Sequence, residues 1–270
     1  MNRIILALAS LSILSFVSPA TSDPSKYRSV PSVATLADAA LVSDTKKGSS
    51  IDKILEDLYD DADLKKADLS YDVFKRAAVG YFNLKDLGKL NKNKNLLTVI
   101  DFNKPSREKR LWIIDMDKKK VLYHSLVAHG RGSGDDRAVK FSNIENSHMS
   151  SLGFYVTKNT YTGKHGLSLK MEGVDRNYNT NAYQRAIVVH GADYVSEAFV
   201  KQHGRLGRSH GCPALPTDIN AKVVQLIKDG TCLYIDAAQA NYQSAYLNPD
   251  NAIKSFESQI MKRQAEMLSR

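Results

Sequence analysis

The chain has 270 residues, 43% of them hydrophobic and 25% charged, an ordinary globular composition with length for one substantial core, alone or with a small helical region beside it. Its formal net charge of +9 favours anionic surroundings such as cell-wall polymers, lipid head groups or nucleic acid. No apolar run reaches the roughly 20 residues that cross a bilayer, so no stable membrane span is expected.

Residues 1–20 read as a signal peptide. Met1-Asn2-Arg3 is a short positive start, Ile4 to Val17 is an apolar run, and Ser18-Pro19-Ala20 offers small residues for cleavage. An uncleaved membrane anchor is the alternative reading. Export to the periplasm or cell envelope makes nucleic acid the least favoured of the anionic partners, and it permits disulfides.

Residues 21–90 follow with a helical pattern from Val33 onward. Ser49 and Asp52 form a candidate capping box ahead of Ile51, Ile54, Leu55 and Leu58, and Ser70 is placed to cap a helix whose inner face carries Phe74, Ala77, Ala78 and Tyr81. This is a helical layer or a small N-terminal subdomain. After Asn91 to Asn95 strand signals take over: Leu96 to Phe102, Arg110 to Met116 and Val121 to Val127, with Asp117-Lys118 as a hairpin turn. Arg107 to Arg110 and Lys118 to Lys120 read as solvated faces beside these strands.

Further strands are expected at Leu152 to Val156, Ser168 to Met171, Ala186 to His190 and Thr231 to Ile235. A helix over Asp218 to Lys228 presents Ile219, Val223, Val224 and Ile227 on one face. In residues 238–270 a last helix opens at Asn248-Pro249-Asp250, where Asn caps and Pro is pre-shaped for the first turn. Short strands with Gly-rich links predict a mostly β fold, a curled mixed or antiparallel sheet, with N-terminal and C-terminal helical additions.

The chemistry concentrates in Gly207-Arg208-Ser209-His210-Gly211-Cys212, preceded by His190-Gly191. Of the two cysteines, Cys232 sits in a strand-like run and reads as a buried small hydrophobe, whereas Cys212 follows a Gly/His-rich loop where a thiolate can be activated; a bridge between them is the competing reading. An imidazole can take the thiol proton, and His190, ending the apolar run Ile187-Val188-Val189, is fixed at a sheet rim where a general base belongs. The Gly191 carbonyl is placed to hold its tautomer, or is an ordinary sheet acceptor. His210 is too constrained by the chain to be the main base and is expected to shape the pocket. The amides of Gly211 and Cys212 are expected to face a developing oxyanion, and Arg205 and Arg208 to add positive charge that attracts a substrate carboxylate.

These residues resemble the YkuD-like murein L,D-transpeptidase catalytic domain: His190-Gly191 and Ser209-His210-Gly211-Cys212 match its motif. The continuation Cys212-Pro213-Ala214-Leu215 is similar to a branch with a Ser-x-Gly-Cys-Pro-Ala signature. So are Val127-Ala128-His129-Gly130, Phe141-Ser142-Asn143, Ser150 to Tyr155 and Gly163-Lys164-His165-Gly166. The resemblance covers about Leu96 to Asp236 and assigns residues 91–237 to a catalytic domain. It implies Cys212 as nucleophile, His190 as general base, the Gly191 carbonyl as its orienter, and Ser209, His210 and Gly211 around the thiol.

The implied substrate is a peptidoglycan stem peptide that loses terminal D-Ala, its acyl group passing to another stem's amine, to a lipoprotein lysine, or to water in a carboxypeptidase or endopeptidase. A non-catalytic wall-binding module is the remaining alternative. No cofactor is implied. Where most of the family carries an arginine two residues after the cysteine, this chain has Ala214, which leaves Arg208 and Arg205 as candidates for that charge.

Ser151, Phe154, Tyr155 and His165 are expected to contact the stem, with core strand packing the competing reading for Phe154. Gly130-Arg131-Gly132-Ser133-Gly134 lacks the lysine of a nucleotide loop and reads as a link or substrate lip. His129, His148 and His165 have no carboxylate or cysteine spacing that would make a metal site with them.

Overall fold

A computed structural model describes residues 51–239, 241–254 and 256. The expected signal-peptide segment, Ser49 of the expected capping box, and residues 257–270 at the end of the expected C-terminal tail lie outside them. Helix α1 (residues 51–61) is followed by α2 (Tyr71–Asp86), where the Ser70 hydroxyl accepts from the Val73 N–H at 3.3 Å, as the cap pattern predicts. Eight strands then form one sheet: β1 (Leu96–Asp101), β2 (Leu111–Asp115), β3 (Lys120–Ser125), β4 (Gly153–Gly163), β5 (Gly166–Gly173), β6 (Val188–Gly191), β7 (Ala214–Leu215) and β8 (Cys232–Asp236). Helices α3 (Glu197–His203) and α4 (Thr217–Ile227) lie between β6 and β8, on either side of β7.

The strand order is β3-β2-β1-β8-β4-β5-β6-β7, with β1/β8 and β6/β7 parallel and the other pairs antiparallel. Beyond β3 the chain bridges β7 at Ala128↔Ala214 and meets Ser209 at Gly130, so the sheet curls until its two edges nearly close. This is the curled mixed sheet with flanking helices that the sequence predicts.

Strand alternation splits the core. Leu97, Val99, Trp112, Ile114, Phe154, Val156, Cys232 and Tyr234 face the helical layer, packed against Leu55, Phe74, Ala77, Ala78 and Tyr81. Ile113, Tyr155, Leu169, Met171, Val189, Leu233 and Ile235 pack on the other face with Val223, Val224 and Ile227 of α4. The N-terminal helices are therefore a layer on this sheet. They are riveted by Arg76, whose Nε and Nη2 donate to the two Asp236 carboxylate oxygens at 2.9 Å each, and by Trp112 Nε1 donating to the Ala67 carbonyl at 2.7 Å. Helix α2 approaches so closely at Gly80 that a Cβ there would lie 2.0 Å from Phe154 Cζ.

The last helix starts as its sequence predicts: Asn248 accepts from the Asp250 N–H at 2.9 Å, and Ile253 is buried. One charge reading is corrected. Arg110, expected on a solvated face, is wholly buried, because its guanidinium donates to the Val127 and Lys104 carbonyls, contacts His129 Nδ1 at 2.8 Å, and lies over the Phe102 ring. Burial without a carboxylate in hydrogen-bond contact lowers it to about 9.

Candidate active site

His190 and Cys212 are brought together by β6 and β7. His190 pairs with Ala214 in the parallel register, two residues beyond Cys212, and both side chains line one cavity of about 390 Å³. The His190 Nδ1 lies 2.9 Å from the Gly191 carbonyl, which leaves Nε2 as the free ring nitrogen. Burial holds His190 below the ordinary histidine range; the Gly191 carbonyl opposes this, and His165 and Lys164 add to it. The imidazole is thus neutral at pH 7.

Cys212 is half-buried and Cys232 buried, and both are free thiols. The two occupy different parts of the core: Cys232 faces the helical layer, whereas Cys212 packs beside the α4 face. The Cys212 sulfur accepts from the Val188 N–H at 3.5 Å and donates to the Ala186 carbonyl at 3.7 Å. Burial pushes this thiol up, against the Val188 N–H, Arg185 and Lys164, so the resting pair is thiol and neutral imidazole.

The loop that presents the sulfur is stapled by Ser209. Its hydroxyl donates to the Cys212 carbonyl at 2.6 Å and accepts from the Gly211 N–H at 3.0 Å, while its amide donates to the His129 carbonyl. Gly211 has φ +123°, and a Cβ on it would lie 2.7 Å from the Met149 carbonyl oxygen, so glycine is required there. Of the two amides expected to face an oxyanion, the Gly211 N–H donates to the Ser209 hydroxyl, and the Cys212 N–H has no partner among the described residues.

The other expected contacts sort unequally. His165 stacks on His190 with ring centroids 4.5 Å apart, and His210 lines the same cavity with its ring against His148. Arg208 reaches the cavity, but both it and Arg205 are held by Asp135, at 3.1 and 2.9 Å. Tyr155 is corrected to a core residue: it is wholly buried, its hydroxyl donating to the Ser151 carbonyl at 3.0 Å, because its place on β4 points it at the α4 side of the core. Ser151 is also buried, and its hydroxyl donates to the Ser142 carbonyl. The Gly130 to Gly134 run forms a short 3-10 turn packed against the cysteine loop, where a Cβ on Gly130 would lie 2.8 Å from the Gly211 Cα. Among the described residues no group of three His, Cys, Asp or Glu side chains could hold a metal ion.

Sequence reasoning missed Arg185, Lys164, Tyr161 and Tyr194 on the cavity wall. Lys164 and Tyr161 belong to the β4–β5 hairpin, and strand length was the missing signal: β4 runs to Gly163, well past the expected end at Val156.

A curled sheet that presents a cysteine and a carbonyl-oriented histidine in one cavity defines a domain with a Cys/His centre. The chain belongs to the family of L,D-transpeptidase catalytic domains, whose model matches residues 65–235 and so takes in α2 as well as the sheet. Among solved structures, it is similar to an L,D-transpeptidase from Mycobacterium smegmatis (15% identity, TM-score 0.34, covering 53% of this chain and 59% of that one). It is also similar to the helical cell shape determining protein Pgp2 from Campylobacter jejuni (15%, 0.38, 64% and 59%). A third is Bd1075 of Bdellovibrio bacteriovorus (16%, 0.35, 63% and 59%). The chain spans 59% of the length of each of these three. No curated protein matches it. No helix among the described residues is long and apolar enough to cross a membrane.

Proposed function

We propose that this protein is an exported cysteine acyltransferase of the peptidoglycan, in the branch marked by Ser209-His210-Gly211-Cys212-Pro213-Ala214. His190 Nε2 takes the Cys212 proton as the sulfur bonds to the carbonyl carbon of the stem's diamino acid. The amide C–N bond breaks, and terminal D-Ala leaves with the proton from His190. An amine of another stem, or of a lipoprotein lysine, then attacks the thioester; the C–S bond breaks, a new amide forms, and the sulfur recovers a proton. No cofactor is needed to balance these steps.

The observation that carries this reading is the Nδ1 contact of His190 with the Gly191 carbonyl at 2.9 Å in the cavity that holds Cys212. It fixes the one ring nitrogen and leaves the other as base. The Cys212 N–H, free among the described residues, is the donor for the tetrahedral oxyanion. Lys164 on the cavity wall suits a substrate that ends in a carboxylate, and Arg208 would join it only by giving up Asp135.

The test is incubation with a tetrapeptide-stem muropeptide and an amine acceptor, following D-Ala release and linked dimer. Both products are expected. D-Ala release without dimer at any amine concentration makes water the acceptor, and neither product from a folded chain contradicts the proposal.

A further inference from the structure

Arg185 stands just before β6, with its guanidinium turned over the cysteine loop. Nη1 donates to the Ser142 carbonyl at 2.7 Å and the Ser151 hydroxyl at 2.5 Å; Nη2 donates to the Met149 carbonyl at 2.6 Å and the Ser147 hydroxyl at 3.3 Å. Every one of these acceptors is neutral. Unlike Arg205 and Arg208, which share Asp135, Arg185 has no carboxylate partner among the described residues.

The wall that Arg185 holds is the wall the cysteine turn rests on. The Met149 carbonyl and Arg185 Nη2 lie 2.7 and 3.4 Å from where a Cβ on Gly211 would sit, and the Ser150 hydroxyl donates to the Gly211 carbonyl at 3.1 Å. Arg185 also lines the cavity beside Cys212.

We infer that Arg185 is a positioning residue for Cys212: it clamps residues 142–151 against the cysteine loop and supplies, from the strand entry before His190, a positive charge that no carboxylate offsets among the described residues. An unpaired guanidinium in a half-buried wall favours an anion at the sulfur more than a surface charge does, because less water screens it. Of the other charged or titratable groups lining the cavity, Lys164 acts on the sulfur in the same direction, but from an exposed position where water screens it more. Arg208 is tied to Asp135, and Tyr194 is pushed up to about 12, chiefly by burial, and stays neutral. His190 and His210 are held below the ordinary histidine range, chiefly by desolvation.

The inference rests on Cys212 as nucleophile, but its test needs no substrate, so its failure is separable from failure of the proposed function. The rate of Cys212 alkylation by iodoacetamide is measured from acid to alkaline pH on the full chain, read on the Cys212 peptide by mass spectrometry. Arg185→Gln should move the midpoint to higher pH and slow labelling at pH 7 by about three- to tenfold. Arg185→Lys, which keeps the charge and loses the fork, should restore much of the labelling rate. Arg185→Met is the second neutral variant, in case the glutamine chain does not fold. A wild-type profile in whichever neutral variant folds, or a lysine variant no faster than the neutral one, would overturn the inference.

Discussion

The imidazoles of His165 and His190 stack, their centroids 4.5 Å apart and their planes 28° from parallel. His190 sits below the ordinary histidine range first because it is buried, and then because His165 and Lys164 disfavour a second positive charge beside them. Removing His165 should let His190 rise. His165→Gln is expected to shift the acid limb of kcat/KM to higher pH while leaving turnover measurable; a limb that stays in place or moves to lower pH would show that the two rings are uncoupled.

The wild-type profile itself has a predicted sign. With His190 as the proposed base, its unprotonated form is the working one, so activity is expected to fall as pH drops through its depressed value, on the acid side of an ordinary histidine. His190→Ala should cost about 10²- to 10⁴-fold in kcat/KM at neutral pH. Steady-state rates from pH 4 upward measure both, and a flat profile would contradict the pair.

Much of this site was legible because its signals are local. His190-Gly191 ends an apolar strand, and Ser209 to Cys212 form one short loop, so residue types and spacing sufficed. Ser70 and Asn248 were legible for the same reason, each capping within its own turn. Arg185 was not, since its partners Ser142 to Ser151 lie some forty residues earlier and no local pattern marks an arginine with neutral acceptors. Tyr155 misled because β4 is covered on both faces: Phe154 meets the helical layer and Tyr155 the α4 side, so neither points to solvent. The two-residue β7 and the seven-residue α3 are too short to show a period.

Tyr155→Phe separates core from groove. It removes one buried hydrogen bond, to the Ser151 carbonyl, and should lower stability by about 1 kcal/mol while KM stays within about twofold. Denaturant unfolding and steady-state kinetics read the two; a large rise in KM with unchanged stability would restore Tyr155 to the substrate groove.

Gly211→Ala should damage the site severely. The substitution meets a φ of +123° and a carbonyl oxygen 2.7 Å from the new Cβ, a strain of about 1–3 kcal/mol that is relieved only by moving Cys212 or residues 147–149. A loss of about 100-fold in kcat is expected, with a folded chain by circular dichroism. Near-normal activity would mean that the turn tolerates a side chain.

Gly80→Ala tests how the helical layer seats. In an exposed helix this exchange stabilises by about 1 kcal/mol, but here the added methyl meets the Phe154 ring, itself stacked on Tyr234 with centroids 4.3 Å apart. We expect a destabilisation of about 1–3 kcal/mol in urea unfolding. A stabilised variant would place α2 farther from the sheet.

The most direct measurement of the account is intact-protein mass spectrometry after brief incubation with a tetrapeptide-stem muropeptide, wild type beside Cys212→Ala. The account predicts a mass increase equal to the acyl group on wild type alone, removed when an amine acceptor is added. An adduct of the same size on both chains, or none on a folded wild type whose Cys212 is confirmed as a free thiol, would contradict it.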